Sequence, residues 1–234
     1  GGEIDFEGEV FTKETKRKRS MKFRREAQIV FQDPGSSLNP YQDVRSILSL
    51  PLKVHKVVPK NEIDDKILEI LEMVELPADF MYKSPNSIGG GEKQLVSIAR
   101  ALCCNPKFII LDEPTSILSY AESEKLFQIM FDLKKKGVSI LYISHRIPEI
   151  LRISDEIIIL RDGHLTGTMK VEEATEEKVI EAMSGRKINM NVYRKRDYSK
   201  AEPILKVQNL SRGKTYQNIS FEVKPGEVLA FYGL

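Results

Sequence analysis

Two adjacent carboxylates follow an apolar stretch near the middle of the chain, and residues of these types at this spacing can handle a metal ion and a water molecule. The stretch runs from Phe108 to Leu111 and leads into Asp112, Glu113 and Pro114. A short apolar run ended by a breaker is typical of a strand in a parallel sheet, buried on both faces. Because burying a charge is costly, we expect both acids at the strand's C-terminal end, where open α/β sheets bind ligands. Taken alone, the stretch equally fits a core strand followed by a solvated turn.

Other polar residues stand at comparable places along the chain. Gln32 follows a predicted buried strand over Gln28–Phe31, and His145 follows another over Val138–Ile143. Strands that alternate with helices bring such ends to one edge of a sheet. The run Gly89–Gly91 precedes a predicted helix, whose free backbone N–H groups suit an anion. A glutamine, two acids, a histidine and a glycine loop together predict metal-assisted phosphate chemistry.

The composition is that of a soluble globular protein of 234 residues, with 41% hydrophobic and 30% charged residues. A net charge of +2 is too small to predict bulk attraction to nucleic acid or to an anionic membrane. No apolar run approaches membrane-spanning length, and the N-terminus lacks a signal-peptide pattern. Cys103 and Cys104 are adjacent in a predicted helix, which predicts packing residues in a reducing cytosol rather than a disulfide.

Periodicity and breakers predict the remaining elements of an α/β chain. An exposed strand and turn are expected over Gly1–Val10, and the basic run Lys13–Arg25 is interpreted as a solvated loop and helix face. Near the end, Val228–Tyr232 is predicted to be an apolar strand. The other predictions are a helix capped by Asn61 with apolar positions Ile63, Ile67, Ile70, Leu71 and Val74, helices over Lys93–Cys104, Ser123–Lys136 and Glu172–Met183, and a strand over Ile157–Leu160.

Five segments, in this order, resemble the motifs of the ATP-binding-cassette ATPases. Phe31–Pro34 resembles the Q-loop, and Ile88–Glu92 resembles the family signature at the start of its helix. Phe108–Ser116 resembles the Walker B strand with its catalytic glutamate. Ser116–Ser119 stands where the D-loop belongs, and Ser144–Arg146 is similar to the switch-histidine loop. The resemblance implies an α/β cassette with a mostly parallel sheet and a helical subdomain, which binds ATP and Mg²⁺.

The resemblance also implies a role for each polar residue at the predicted sheet edge. Asp112 would hold Mg²⁺ directly or through water, since a hard cation prefers oxygen ligands. Glu113 would polarise the attacking water, and His145 would contact the γ-phosphate. Gln32 would sense the metal or the water and pass the nucleotide state to the helical region.

In the family, the signature loop and the D-loop contact the nucleotide of a partner cassette, so the site is composite. This chain differs from the family at three of these positions: Gly89 replaces a serine, Glu92 a glutamine and Ser119 an aspartate. An inactive half-site therefore remains an alternative. The residues that the resemblance assigns to nucleotide contact are Ile88, Gly89, Gly90, Gly91, Glu92, Ser116 and Ser119.

No stretch of the sequence reads G-x-x-x-x-G-K-[ST], the loop that grips ATP. In the family this loop follows a strand like Val228–Tyr232 and precedes a segment like Gly1–Val10. We therefore expect residues 1–186 to be a first cassette without that loop, with its helical subdomain at about 33–100. Residues 187–202 are predicted to be a linker, and residues 203–234 the antiparallel β segment that opens a second cassette. The isolated chain is expected to be inactive.

Two transporter branches resemble different parts of the chain. Ile157–Asp162, Met183–Arg186 and Pro225–Val228 resemble the tandem ATPase of simple-sugar importers, whereas Gln32–Pro40 looks more like the peptide-importer branch. Either branch implies a peripheral protein at the cytoplasmic face of the membrane. Its partners would be permease subunits, a second cassette and, indirectly, an extracytoplasmic solute-binding protein, with no nucleic acid. We expect a sugar as the imported solute.

Two other functions remain open at this point. A cassette acting on nucleic acid or ribosomes has support only from Lys13–Arg25, and salt-dependent RNA binding would favour it. A non-catalytic cassette is indicated by Gly89, by Ser119 and by the missing phosphate loop. Absence of Glu113-dependent ATP turnover with a phosphate-loop partner would favour the inert cassette.

Overall fold

The structure, a computed structural model, describes residues 2–12, 20–185, 201–213 and 215–231. The chain divides into two compact units between residues 186 and 187. Residues 13–19 of the basic run and residues 187–200 of the predicted linker lie outside the described residues, as do Gly1 and Tyr232 to Leu234. The architecture is α/β, as the sequence predicted.

A three-stranded parallel sheet forms the centre of the first unit. Its strands are β3 (Ala27–Val30), β4 (Phe108–Asp112) and β5 (Ser139–Ile143), with β4 in the middle. Val30 pairs with Leu111, and Asp112 pairs with Ile143. The prediction that three polar loops share one sheet edge is therefore confirmed, because parallel strands end on the same side.

The central strands are buried on one face only within the described chain, which corrects the prediction that the first and third strands are buried. Successive side chains of a strand point to opposite faces. On one face Val30, Ile109 and Leu111 are at most 3% exposed. On the other, Leu141 and Ile143 are more than 40% exposed. Phe31, predicted inside the first strand, lies beyond it and is exposed, as is Ile29.

Helices fill the chain between β3 and β4. They are α2 (Pro34–Ser37), α3 (Val44–Val54), α4 (Ile63–Met73) and α5 (Gly90–Leu102), preceded by α1 (Met21–Glu26). The predicted apolar face of α4 is confirmed, but the predicted cap is wrong: Asn61 lies in a 3₁₀ turn before the helix, and the residue at the cap, Glu62, makes no side-chain capping bond. The buried positions of that face are Ile63, Ile67, Ile70, Leu71 and Val74.

Two helices begin three residues before the predicted position because capping residues precede them. The helix α5 begins at Gly90 after Gly89, and α6 (Tyr120–Lys135) begins after Ser119, whose hydroxyl accepts a hydrogen bond from the Glu122 backbone N–H. Cys103 and Cys104, just after α5, are buried free thiols, as predicted. Burial raises the pKa of Cys103 to about 12 and that of Cys104 to about 11.

The rest of the first unit surrounds this centre. The predicted exposed N-terminal strand and turn form an antiparallel pair, β1 (Glu3–Phe6) and β2 (Glu9–Thr12). After β5 come α7 (Ile147–Ile153) and a second antiparallel pair, β6 (Glu156–Arg161) with β7 (His164–Lys170). The predicted acidic helix is shorter than expected. A 3₁₀ turn over Val171–Glu173 precedes α8 (Glu176–Ser184), which Thr175 caps.

In the described part of the second unit, β8 (Leu205–Arg212) and β9 (Tyr216–Val223) form an antiparallel hairpin. The predicted strand over Val228–Tyr232 is wrong for its described part, because residues 228–231 have no regular structure. A strand is stable only when its backbone pairs with a neighbour, and no described strand pairs with this segment. Val228 is accordingly 95% exposed.

Within the described residues, no helix is long and apolar enough to cross a membrane.

Candidate nucleotide site at the sheet edge

Glu113 leaves the central strand in an uncommon backbone conformation. Its backbone N–H donates to the Ile143 carbonyl at 2.9 Å, which extends the pairing between β4 and β5 by one residue. Its φ is +46°, in the left-handed region that residues with side chains rarely adopt. Strain of this kind persists only where the surroundings hold it, and it is common at functional sites.

The side chains of Glu113 and His145 meet at the edge of the sheet. Glu113 Oε1 lies 2.7 Å from His145 Nδ1. An ionised carboxylate only accepts hydrogen bonds, so Nδ1 carries the proton and donates it. In the neutral ring Nε2 is then an acceptor, and in the charged ring it is a second donor. The Glu113 side chain is 17% exposed and the His145 side chain 70%, so the pair opens to solvent through the imidazole.

Asp112 and Gln32 lie near the ends of neighbouring strands. Asp112 is the last, half-buried residue of β4, and Gln32 lies two residues beyond β3 with an exposed side chain. No hydrogen bond within the described chain joins Gln32 to Asp112, Glu113 or His145. No described cluster of three His, Cys, Asp or Glu residues could hold a metal by itself. A carboxylate and an amide oxygen do fit Mg²⁺, which takes one or two protein ligands and completes its shell with water and phosphate.

The segment after Gln32 is bonded to the helix that follows the glycine loop. Asp33 caps α2 by accepting a hydrogen bond from the Gly35 backbone N–H at 2.8 Å. The Arg100 guanidinium, on α5, donates to the Ser37 carbonyl at 2.5 Å. Burial lowers the pKa of Arg100, but its ordinary value is so high that it stays charged. The two segments that resemble the Q-loop and the signature helix are therefore mechanically connected.

The glycine loop starts α5 through backbone contacts. Ile88 is buried, whereas Gly89 and Gly90 are exposed. The Gly89 backbone N–H donates to Glu92 Oε2 at 2.7 Å, so the helix holds its own first turn. A Cβ added at Gly91 would overlap Glu122 Oε1, so a larger residue there would displace that carboxylate.

The turn after β4 lies against the glycine loop. A Cβ on Gly90 would lie 3.6 Å from Ile117 Cδ1. Ser116 is half-buried and Ser119 exposed, but the Ser119 hydroxyl already participates in the cap of α6, where Glu122 Oε2 accepts from it at 2.7 Å. Hydrogen bonds from the hydroxyl and the backbone N–H of Ser119 lower the pKa of Glu122. The structure thus gives Ser119 a capping role that the sequence analysis missed.

Sequence reasoning also missed a cluster behind the sheet edge. Thr115, Tyr142 and Glu149 are joined by hydrogen bonds, with the Glu149 carboxylate as the shared acceptor. Thr115 is fully buried. The sequence does contain one signal for this cluster, a threonine directly after the Asp-Glu-Pro run, where a solvated turn is expected. Residue spacing does not identify the hydrogen-bond partners of that threonine.

The comparisons with known proteins agree with this geometry. A family model described as ABC transporter matches residues 1–116. The solved dimeric structure of the ATP-binding cassette MJ0796, in a post-hydrolysis state bound to ADP and Pi, aligns with a TM-score of 0.64 and 30% identity, over 73% of this chain and 74% of that one. The chain therefore belongs to the ABC transporter family of ATP-binding cassettes.

Curated relatives include proteins named for both sugar and peptide transport. The ribose import ATP-binding protein RbsA 3 of Rubrobacter xylanophilus is 44% identical over 64% of this chain and 30% of its own length. The galactose/methyl galactoside import ATP-binding protein MglA of Clostridium perfringens is 40% identical over 73% and 32%. The oligopeptide transport ATP-binding protein OppF of Streptococcus mutans is 39% identical over 76% and 56%. The chain spans 30% to 32% of the length of the two sugar-import relatives.

Proposed function

We propose that this chain supplies the hydrolytic residues of an ATPase that drives solute import. The observation that carries the proposal is the contact of Glu113 with His145 at the C-terminal edge of a parallel sheet, directly after Asp112. In a member of the ABC transporter family, Glu113 would be the general base, held in place by its hydrogen bond to His145. The His145 side chain itself remains open to solvent. ATP with Mg²⁺ would provide the phosphoanhydride to be cleaved and the charge that screens the two acids.

Each residue contributes one physical effect in this proposal. Asp112 and Gln32 offer oxygen ligands to Mg²⁺. Glu113 accepts the proton of the attacking water, and its hydrogen bond to His145 orients the carboxylate. His145, with its ring held through Nδ1, keeps Nε2 available for the γ-phosphate and, when protonated, would donate a hydrogen bond to the charge that develops there.

The signature loop would act on the nucleotide of a second cassette, in the same full-length chain or in a dimer. Its exposed Gly89 and Gly90 backbone is free of bulky side chains at the start of a 13-residue helix. Such a helix start favours anions through its N–H groups and its dipole. Glu92, Ser116 and Ser119 belong to this proposed contact surface, with Ser119 also capping α6, whereas the buried Ile88 packs in the core.

The transport role would place the protein peripherally at the cytoplasmic face of a membrane, beside permease subunits. A solute-binding protein would deliver the solute to these subunits. The names of the ribose and galactose import relatives support a simple sugar as the solute. The peptide-transport relative supports the alternative, an oligopeptide. We further propose that residues 1–186 belong to a first cassette, that residues 187–202 are a linker and that residues 203–234 open a second cassette.

The test of hydrolysis uses the complete gene product reconstituted with its permease. Glu113→Gln should lower ATP turnover by about 100-fold or more, since general-base catalysis contributes 10² to 10⁴. Glu72→Gln, the same change at an exposed position of α4, is the matched control and should leave turnover unchanged. Equal turnover in the two variants would refute the proposed role of Glu113.

A second pair of measurements separates the solutes and tests the isolated chain. Cells without the gene should lose uptake of labelled ribose or galactose and keep uptake of labelled oligopeptides, and the reverse result would assign the protein to peptide import. The 234-residue chain alone should show only background ATP turnover, because its sequence contains no G-x-x-x-x-G-K-[ST] loop. Glu113-dependent turnover by the chain alone would contradict this.

A further inference from the structure

The carboxylate of Glu149 accepts hydrogen bonds from three residues that lie within three positions of Glu113 or His145 in the sequence. Its Oε2 accepts from Thr115 Oγ1 at 2.7 Å and from Tyr142 Oη at 2.8 Å. Its Oε1 accepts from Arg146 Nη1 at 3.0 Å. The Glu149 side chain is only 15% exposed, so these contacts replace most of the water that a carboxylate would otherwise bind.

Two of these donors, and Glu149 itself, are close in sequence to Glu113 or His145. Thr115 lies two residues after Glu113, and Tyr142 lies three residues before His145. Glu149 itself is in the first turn of α7, four residues after His145. One carboxylate therefore joins the turn that carries Glu113, the strand that leads to His145 and the helix that leads away from it.

The donors around Glu149 are held from other sides as well. Thr115 is 0% exposed, and the Tyr142 ring lies against Phe127 of α6 with centroids 6.5 Å apart. Farther along α7, Arg152 forms a bidentate pair with Glu124 of α6 and lies 5.4 Å from the Phe127 ring. The helix α7 is thereby fixed at both ends, and Glu149 is the attachment nearest the site.

The protonation of the cluster suits a permanent structural contact. Burial raises the pKa of Tyr142, and the adjacent Glu149 carboxylate raises it further, so the phenol remains a donor at neutral pH. Thr115, Tyr142 and Arg146 all donate to this one carboxylate, and hydrogen bonds with an ionised partner are stronger than those between neutral groups.

We infer that Glu149 is a positioning residue for the proposed hydrolysis, which sets the separation of the Glu113 and His145 loops through Thr115 and Tyr142. This inference rests on the proposed function for its catalytic meaning. It implies that the hydrogen bond between Glu113 and His145 depends on the hydroxyl groups of Thr115 and Tyr142, which bond to Glu149 and not to that pair. A cluster that serves stability alone would not have this consequence.

The first arm of the test observes His145 directly and needs no ATP. The chain has three histidines, so His→Gln variants assign every imidazole signal in the ¹⁵N NMR spectrum of the 234-residue protein. We expect the His145 Nδ1 signal to show a hydrogen bond to a carboxylate and to lose that bond in Glu113→Ala, which removes the acceptor. Thr115→Val, which keeps the shape but removes the hydroxyl, and Tyr142→Phe should each shift that signal in the same direction.

Conservative variants separate positioning from simple destabilisation. Thr115→Ser keeps the hydroxyl and should restore the wild-type His145 signal, even where its melting temperature is lower. Glu149→Gln keeps an acceptor oxygen but loses the charge, and should give an intermediate shift. If Thr115→Val and Tyr142→Phe lower the melting temperature and leave the His145 signal at its wild-type position, the inference is overturned.

The second arm measures catalysis by the complete gene product. Thr115→Val and Tyr142→Phe should lower kcat about tenfold with little change in KM, because a misplaced base affects the transition state more than substrate binding. Unchanged kcat in both variants would overturn the catalytic part of the inference. The failure of the proposed function has a different signature: no Glu113-dependent turnover in the wild type, while the His145 signal still responds to Thr115→Val.

Discussion

The sheet edge and the glycine loop are the two regions proposed to contact nucleotide, and they are built in opposite ways. At the sheet edge, side chains contact side chains: Glu113 contacts His145, and Glu149 accepts hydrogen bonds from Thr115 and Tyr142. At the glycine loop, backbone and small size dominate, since Gly89 uses its N–H and Gly91 is limited by Glu122. The proposed function of the sheet edge depends on the functional groups of its side chains. That of the glycine loop depends on how closely its backbone can approach the nucleotide.

The largest effect that separates the two regions should appear in catalysis. His145→Ala in the complete gene product should lower ATP turnover about 100-fold, the size seen when one transition-state donor is removed. His164→Ala, at an exposed position of β7, is the matched control and should not change turnover.

The corresponding change in the glycine loop should be mild. Glu92→Gln keeps an oxygen that accepts from the Gly89 N–H, so turnover should fall by less than about tenfold. A greater loss for Glu92→Gln than for His145→Ala would reverse the contrast between the two regions.

A smaller effect, on the free energy of unfolding, tests whether the Glu122 carboxylate restricts the size of the residue at position 91. Gly91→Ala forces Glu122 out of its cap and should cost about 1 kcal/mol of unfolding free energy, measured by urea denaturation. In a Glu122→Ala background the overlap is gone, and the same change should instead stabilise the chain by up to about 1 kcal/mol through helix propensity. Additive effects of the two substitutions would show that the residues do not interact.

The smallest effect is the pH dependence of the cap at the start of α6. The Ser119 hydrogen bonds lower the pKa of Glu122 below its ordinary 4.5, so the stability they contribute is present above pH 4.5 and is lost as the pH falls through the lowered value. Ser119→Ala should therefore cost about 1 kcal/mol at pH 7 and less at pH 3.

A matched serine provides the control for this pH dependence. Ser87 is exposed, and its hydroxyl donates to the Ser84 carbonyl without a carboxylate. Ser87→Ala should therefore have the same effect at both pH values. A pH-independent cost for Ser119→Ala would contradict the assignment of the cap.

The two regions also differ in how far the sequence predicted them. The shared edge of Gln32, Asp112 and His145 followed from the alternation of strands and helices, and the parallel register confirms it. The apolar face of α4 was equally readable, because helical periodicity is local. The cap of α6 was missed, although Ser119 and Glu122 have the spacing of a capping box. The resemblance to the ATP-binding cassettes assigns Ser119 to nucleotide contact and so draws attention away from its capping role.

Predictions that depended on a neighbour in space were the ones that failed. Residues 228–231 are apolar enough for a strand, yet no described strand pairs with them. The strand at Phe108–Leu111 was predicted to be buried on both faces and its two neighbours to be buried. Burial instead differs between the faces of the sheet, because within the described chain the apolar residues of the helices cluster with one face. Asn61 has the right side chain for a cap and the wrong backbone position.

The amino-acid sequence by itself determined the family, the order of the motifs and the amphipathic faces, because these depend on residue type and on spacing along one element. Only the tertiary structure decided that Glu113 and His145 touch and that Glu149 bonds to Thr115, since residues 32 to 34 positions apart meet only when parallel strands align. Spacing within an element is a local property, whereas the partner of a buried carboxylate is chosen by the packing of the whole unit.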